Sequence, residues 1–223
     1  MRLPDRLPRE SGRDYALRTL KENIINLDLA PGSLISESEL AAKLGLSRTP
    51  VREALIELSK VKIVEITPQK PGRIARIDYN LVEEARFLRE VLECAVVELS
   101  CRMASPQDIL RLEEIIQLQG FYLEHNAPEQ LMLTDDQFHG ALFDITRKSR
   151  IYTMLQNFSI HFDRVRRMAL ESVKDLKIIE DHFAILEAIR NNQPEQAQAR
   201  MKLHLGRCQV DAAAIRERYP QYF

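Results

Sequence analysis

Five histidines stand at positions 125, 139, 161, 182 and 204, all in the second half of a 223-residue chain. Imidazole is the commonest side-chain metal ligand, so the first question is which of them can share a centre. Asp135 and His139 lie four residues apart in LTDDQFH, a spacing that puts both on one helix face. His182 lies in EDHFAILEAI, where Phe183, Leu186 and Ile189 mark the expected buried side. His204 lies in ARMKLHLGRC beside an inward stripe of Met201 and Leu205. Three histidines and one carboxylate on three helices can converge inside a bundle, a familiar way to build a metal site. The competing reading makes each histidine a capping, surface or core residue, and spacing alone leaves both open.

A second constellation is basic. Arg48 and Arg52 stand four apart in SRTPVREAL (47–55), so both point from one face of a helix. An arginine fork matches guanine O6 and N7, a contact that discriminates bases by roughly 1–3 kcal/mol. Ser47 and Thr49 carry hydroxyls for phosphate at a helix N-terminus, itself an anion site. Lys70, Gly72 and Arg73 follow at the tip of an expected hairpin, placed to reach a DNA backbone or minor groove. Charge is distributed accordingly. Through Ile77 there are 14 Lys/Arg against 10 Asp/Glu, and beyond it 18 against 23, so a basic end sits on an acidic body. Two arginines four apart on an arbitrary helix more often form a solvated face, paired here with Glu53 or Glu57. The elements around them weigh against that.

Those elements read as follows. Apolar spacing from Tyr15 to Leu27 predicts a helix over 13–29, ended by Pro31-Gly32. Ser36 opens a second helix as N-cap, with Glu39 completing a capping box, and Gly45 closes it. Ser47 caps a third helix to Lys60, with Pro50 in its first turn. Val51, Ala54, Leu55 and Leu58 form its buried side. Two β-branched runs, IVEI (63–66) and RIARI (73–77), flank TPQKPG as a hairpin. Three helices, a glycine turn and a hairpin make a winged helix-turn-helix, whose third helix enters the major groove by its N-terminal residues. After Tyr79 only helical periodicity remains, near 80–103, 106–125, 128–146, 149–172, 175–191 and 194–217. Short connections imply an antiparallel bundle. The expected fold is mainly α, with a reader domain over 1–77 and an all-helical domain over 78–223.

Composition excludes several classes. Hydrophobic residues at 45% and charged residues at 29% are a globular balance, which disfavours intrinsic disorder. Seven glycines and ten prolines are too few for the turns of a sandwich or barrel. No stretch approaches the about 18 apolar residues of a membrane span, and Met1 to Arg13 lacks the apolar run of a signal peptide. Cys94, Cys101 and Cys208 have no paired spacing and suit a reducing, cytoplasmic setting, with Cys94 and Cys101 as core packing.

LISESELAAKLGLSRTPVREALIEL (34–58) closely resembles the DNA-binding motif of the GntR family of bacterial transcription regulators. The resemblance implies operator contacts at Arg48, Thr49, Arg52 and Gly72. Ser38 and Lys62 depart from it, standing where relatives carry arginine and glycine. DDQFH (135–139), DHFAILEAI (181–189) and MKLHL (201–205) resemble the FadR-type branch with a metal-binding effector domain, called FCD. That resemblance implies Asp135, His139, His182 and His204 as ligands, with Asp136, His125 and His161 outside the set. TRKSR (146–150) departs from the Ser-Gly-Asn turn usual at that junction, which is expected to be shaped differently. Arg89 falls where the family often places an arginine facing the effector cavity; an ion pair with Glu93 is its equal alternative. Arg164, Arg166 and Arg167 are weaker candidates of the same kind.

An Asp/His₃ set suits Zn²⁺ first, then Ni²⁺ or Mn²⁺, over Cu(I). Positions left open on such an ion accept water or the carboxylate of a small organic acid. The expectation is a cytoplasmic homodimer on double-stranded operator DNA, a repressor released by that acid. The alternatives are a metal-sensing regulator or a metalloenzyme with an activated water. The enzyme reading leaves the DNA reader unexplained, so no catalytic residue is assigned.

Overall fold

The computed structural model describes residues 1–67, 70–172, 177–210 and 212–223. Pro68 and Gln69 of the expected hairpin loop lie outside the described residues, as do 173–176 and the side chain of Cys208. Two compact units form: Met1–Tyr79 with Tyr219–Phe223, and Asn80–Arg218. The sequence reading placed 219–223 with the helical body. In the structure Ile77 donates its N–H to Tyr222 O at 2.8 Å, and the Tyr79 and Phe223 rings stack at 5.3 Å.

In the first unit α1 spans Gly12–Ile25, capped by the Ser11 hydroxyl accepting from Asp14 N. It stops short of the expected Pro31-Gly32 because Leu27 turns left-handed at φ 64°. α2 spans Glu37–Leu44 and α3 Arg48–Lys60. Ser36 accepts from Glu39 N, which is half of the expected capping box. Gly45 closes α2 at φ 64°, a conformation glycine adopts without strain. Ser47 stands at the N-cap position of α3 but makes no side-chain cap bond, contrary to expectation, and its hydroxyl is exposed. Val51, Ala54, Leu55 and Leu58 are buried as expected. Each of the larger three contributes roughly 1.5–3 kcal/mol by leaving water.

The wing has three strands where the sequence suggested two. β1 (Leu34–Ile35), β2 (Val64–Glu65) and β3 (Gly72–Ile74) are ordered β1-β3-β2, all antiparallel. The register pairs Ile35 with Gly72, and Val64 with Ile74. A Cβ on Gly72 would stand 3.1 Å from Ile35 Cγ1, so glycine permits the close approach of β1.

In the second unit α4 spans Tyr79–Met103, α5 Pro106–Glu124, α6 Pro128–Ile145, α7 Ser149–Phe158, α8 Ile160–Ser172, α9 Ile178–Arg190, α10 Pro194–Val210 and α11 Ala212–Arg218. The single helix expected over 149–172 is two, separated at Ser159, and residue 211 lies outside the described residues. α5 packs against α6 and α9, and α9 against α10. Val97, Leu112, Ile116, Phe138, Phe143, Ile185 and Met201 sit at the centre of the core. Leu186 and Ile189 are buried as expected, whereas Phe183 is 37% exposed.

The helix ends share one device. Lys62, Asn126, Arg147 and Asn192 follow α3, α5, α6 and α9 with φ between 50° and 58°. In each case the next N–H reaches back five residues, as Lys148 N does to Phe143 O at 2.7 Å. This is the Schellman closure that glycine usually supplies. Lys62 and Arg147, the departures from the family pattern that stand at glycine positions, therefore hold the turn that glycine would make without strain.

Candidate functional site

α6 brings Asp135 and His139 onto one face, α9 supplies His182, and α10 supplies His204. One ligand atom from each lies within 4.8 Å of all the others, among the described residues. His204 Nε2 stands 3.2 Å from His139 Nε2 and 3.3 Å from His182 Nε2. Asp135 lies 3.7 Å from His139 Nε2 and 3.6 Å from His182 Nε2. Donors 2.0–2.1 Å from one ion stand about 3.0 Å apart at right angles and about 3.4 Å apart at the tetrahedral angle. The observed spacings fit a shared ion.

The other ring nitrogens explain the orientation. His182 Nδ1 meets Gln119 Oε1 at 2.8 Å, from α5. His139 Nδ1 lies 2.5 Å from Glu93 Oε2 on α4, and His204 Nδ1 faces Asp181 Oδ2 at 3.6 Å. The Gln119 oxygen accepts from His182 Nδ1 and leaves that ring's Nε2 lone pair aimed into the cluster, while the carboxylates of Glu93 and Asp181 attract the Nδ1 edges of His139 and His204. Burial pushes the His182 and His204 imidazoles below their usual range, so they sit neutral. His182 also stacks on Phe138, with ring centres 4.0 Å apart.

Anions are pinned by arginines. Burial would raise the Asp135 carboxyl, but the Arg166 guanidinium outweighs it and holds the group ionised, far below the carboxylate range. Arg166 Nη2 bonds Asp135 Oδ2 at 2.7 Å, and the same guanidinium reaches Asp136 and Asp163. Arg207 grips both oxygens of Asp181. Burial likewise raises Glu93, yet Arg89 and His139 hold it at about 2. Arg89 donates to Glu93 Oε1 at 2.7 Å and lies over the Phe162 ring at 4.8 Å. The structure thus forms the ion pair weighed as the alternative for Arg89.

The remaining candidates fall elsewhere. Asp136 joins Arg166 rather than the cluster. His125 bonds its own helix at Phe121 O, and His161 contacts Arg164. Cys101 is buried in the core, and Cys94 is half-buried, its thiol pushed up to about 11 by burial. Gln119, Asp181 and Arg207 carried no signal in the sequence, and Glu93 only as a partner for Arg89, because their roles at the histidines depend on contacts across 26 to 63 positions of chain.

On the first unit the reader residues are solvent-facing. Ser47, Arg48, Thr49, Arg52, Lys70 and Arg73 are exposed, and Gly72 lies in the sheet. Arg52 comes no nearer than 3.9 Å to Glu37, with 69% of its side chain exposed. The two arginines at the start of α3 are therefore uncovered, as a groove-entering helix requires.

A winged helix-turn-helix joined to an all-helical unit with a buried Asp/His₃ cluster defines a class of DNA-binding regulators. Residues 14–74 match the gntR family of bacterial regulatory proteins, and 84–207 match the FCD domain. The chain is 32% identical over 216 residues to an uncharacterized HTH-type transcriptional regulator in an unstable DNA locus of Streptomyces ambofaciens, covering 96% of this chain and 90% of that one. It is 26% identical over 217 residues to the HTH-type transcriptional repressor RspR of Escherichia coli, covering 97% and 95%. The solved structure of E. coli McbR/YncC superposes with a TM-score of 0.79 at 22% identity, over 94% of this chain and 99% of that chain. The chain belongs to the GntR family of transcription regulators and carries an FCD domain, a family without enzymatic activity. Among the described residues, no helix is long and apolar enough to cross a membrane.

Proposed function

We propose that this regulator is an effector-responsive repressor in the cytoplasm, binding a two-fold operator as a homodimer through a reader domain over 1–77. Its helical domain holds a divalent metal on Asp135, His139, His182 and His204, and a small organic acid binds there to release the DNA. The supporting observation is the convergence of three Nε2 atoms and one carboxylate, each imidazole turned by an oxygen at Nδ1. The donor set favours Zn²⁺, with Ni²⁺ and Mn²⁺ as other fits. A bound ion supplies Lewis acidity and a positive charge for a carboxylate. Gln119 keeps the Nδ1 proton of His182, Glu93 and Asp181 face Nδ1 of His139 and His204, and Arg166 keeps Asp135 ionised and oriented. For Arg89 to serve as an effector anchor it must exchange Glu93 for the incoming carboxylate.

At the other end, Arg48 and Arg52 read bases while Ser47, Thr49, Lys70, Gly72 and Arg73 fix the backbone. The test measures bound metal and operator affinity for wild type and His182→Ala, with Zn²⁺ alone and with a panel of small di- and tricarboxylic acids. Wild type is expected to retain one ion per chain and to show an acid-dependent affinity shift of about 5–150-fold, the usual range of coupling between sites. His182→Ala is expected to lose both while keeping basal operator binding. Full metal occupancy in the variant overturns the ligand assignment. A shift produced by Zn²⁺ alone makes the metal itself the signal.

A further inference from the structure

The segment before α1 is fastened to the first unit along its length. Asn23, 1% exposed, bonds both Arg2 N at 2.6 Å and Arg2 O at 2.9 Å. Arg18 donates to both carboxylate oxygens of Glu10 at 2.8 Å and to Asp5 O at 3.0 Å. Glu10 in turn accepts from Leu7 N, and its carbonyl accepts from Arg6 Nε. A segment held in this way has already lost the freedom that a loose arm gives up on binding.

Its far end adjoins the reader helix. A Cβ on Gly12 would stand 3.4 Å from Leu46 Cδ2 and 3.6 Å from Pro50 Cβ, so the start of α1 packs on the first turn of α3. Arg9 lies three residues upstream, within about 11 Å of chain from that contact. Most of its cationic neighbours are engaged. Arg2 pairs with Asp28, Arg13 with Glu57 and Arg18 with Glu10. Arg9 is exposed, makes no bond to the protein among the described residues, and is held at φ 65°. A left-handed arginine is strained, and this one is exposed within that length of chain from the first turn of α3.

We propose that Arg9 is an additional DNA contact, a phosphate clamp flanking the base pairs that Arg48 and Arg52 read. It lies outside the 14–74 stretch that matches the gntR family. The inference rests on α3 being the groove-entering helix. A phosphate contact positions the protein and carries no sequence information, which sets its signature apart from that of a base contact.

The experiment titrates the full-length protein with operator and with random duplex DNA across a salt series. The variants are Arg9→Gly, Arg9→Lys and Arg52→Ala. Glycine adopts φ 65° freely, so Arg9→Gly removes the charge without disturbing the turn. Arg9→Gly is expected to weaken both duplexes equally and to flatten the slope of log K against log salt by about 0.9 per chain. Arg9→Lys is expected to restore most of the slope. Arg52→Ala is expected to lose operator affinity selectively. An unchanged slope in Arg9→Gly, with Arg52→Ala behaving as stated, overturns the Arg9 assignment alone. If Arg52→Ala weakens neither duplex, the reading of α3 itself fails.

Discussion

Glu93→Gln tests how the helical unit balances its buried charge. Glu93 is 1% exposed and Arg89 4%, with Nε 2.7 Å from Oε1. Glutamine keeps the shape and removes the charge, so the guanidinium stays buried without its partner one turn away. The Phe162 ring at 4.8 Å keeps it from swinging toward solvent. Removing one member of a buried pair costs about 3–5 kcal/mol, against a total stability of about 5–15 kcal/mol for an ordinary domain. The low end of that range applies, because Asp163 and Asp135 also attract Arg89. The assay is urea unfolding in chelator, for wild type, Glu93→Gln, Arg89→Met and the double variant. Each single change is expected to lose about 3 kcal/mol, and the double far less than the sum, since neither charge is then stranded. Single losses that add in the double to within about 0.5 kcal/mol refute the pairing. A second readout is Zn²⁺ affinity, expected to fall about 10–100-fold in Glu93→Gln because His139 loses the charge that orients it.

Arg147→Gly is expected to stabilise the protein by about 0.5–1 kcal/mol, read from urea unfolding: a left-handed arginine costs about 1–2 kcal/mol, offset in part by the greater freedom of an unfolded glycine. Glu10→Gln addresses pH. Arg18 lowers the Glu10 carboxyl from 4.5 to about 2, so the stability it contributes is complete above 4.5 and is lost as pH falls toward 2. The urea midpoint of Glu10→Gln is therefore expected below that of wild type at pH 7, with the gap closing through that acid window; a gap independent of pH contradicts the ion pair.

The readable parts of this protein were those written in local spacing. Arg48 and Arg52 share a face because they are four residues apart, and Val51, Ala54, Leu55 and Leu58 are buried on the other side for the same reason. Asp135 and His139 were legible as a pair on the same grounds. Their meeting with His182 and His204 was suggested by family resemblance, since no local rule brings three helices to one point. The end of α1 was hidden because Leu27, and not a glycine, took the left-handed position, at a cost that tertiary packing overrides. β1 was missed because two residues carry no periodicity, and their strand exists only through its pairing with Gly72 and Arg73. Gln119 and Asp181 are ordinary helix residues in sequence, Glu93 was legible only as a partner for Arg89, and Arg166 only as a weaker effector candidate. Only the packing of α4, α5, α8 and α9 around the histidines decides that they hold protons and charges in place, because that is a property of distance through space and not of order along the chain.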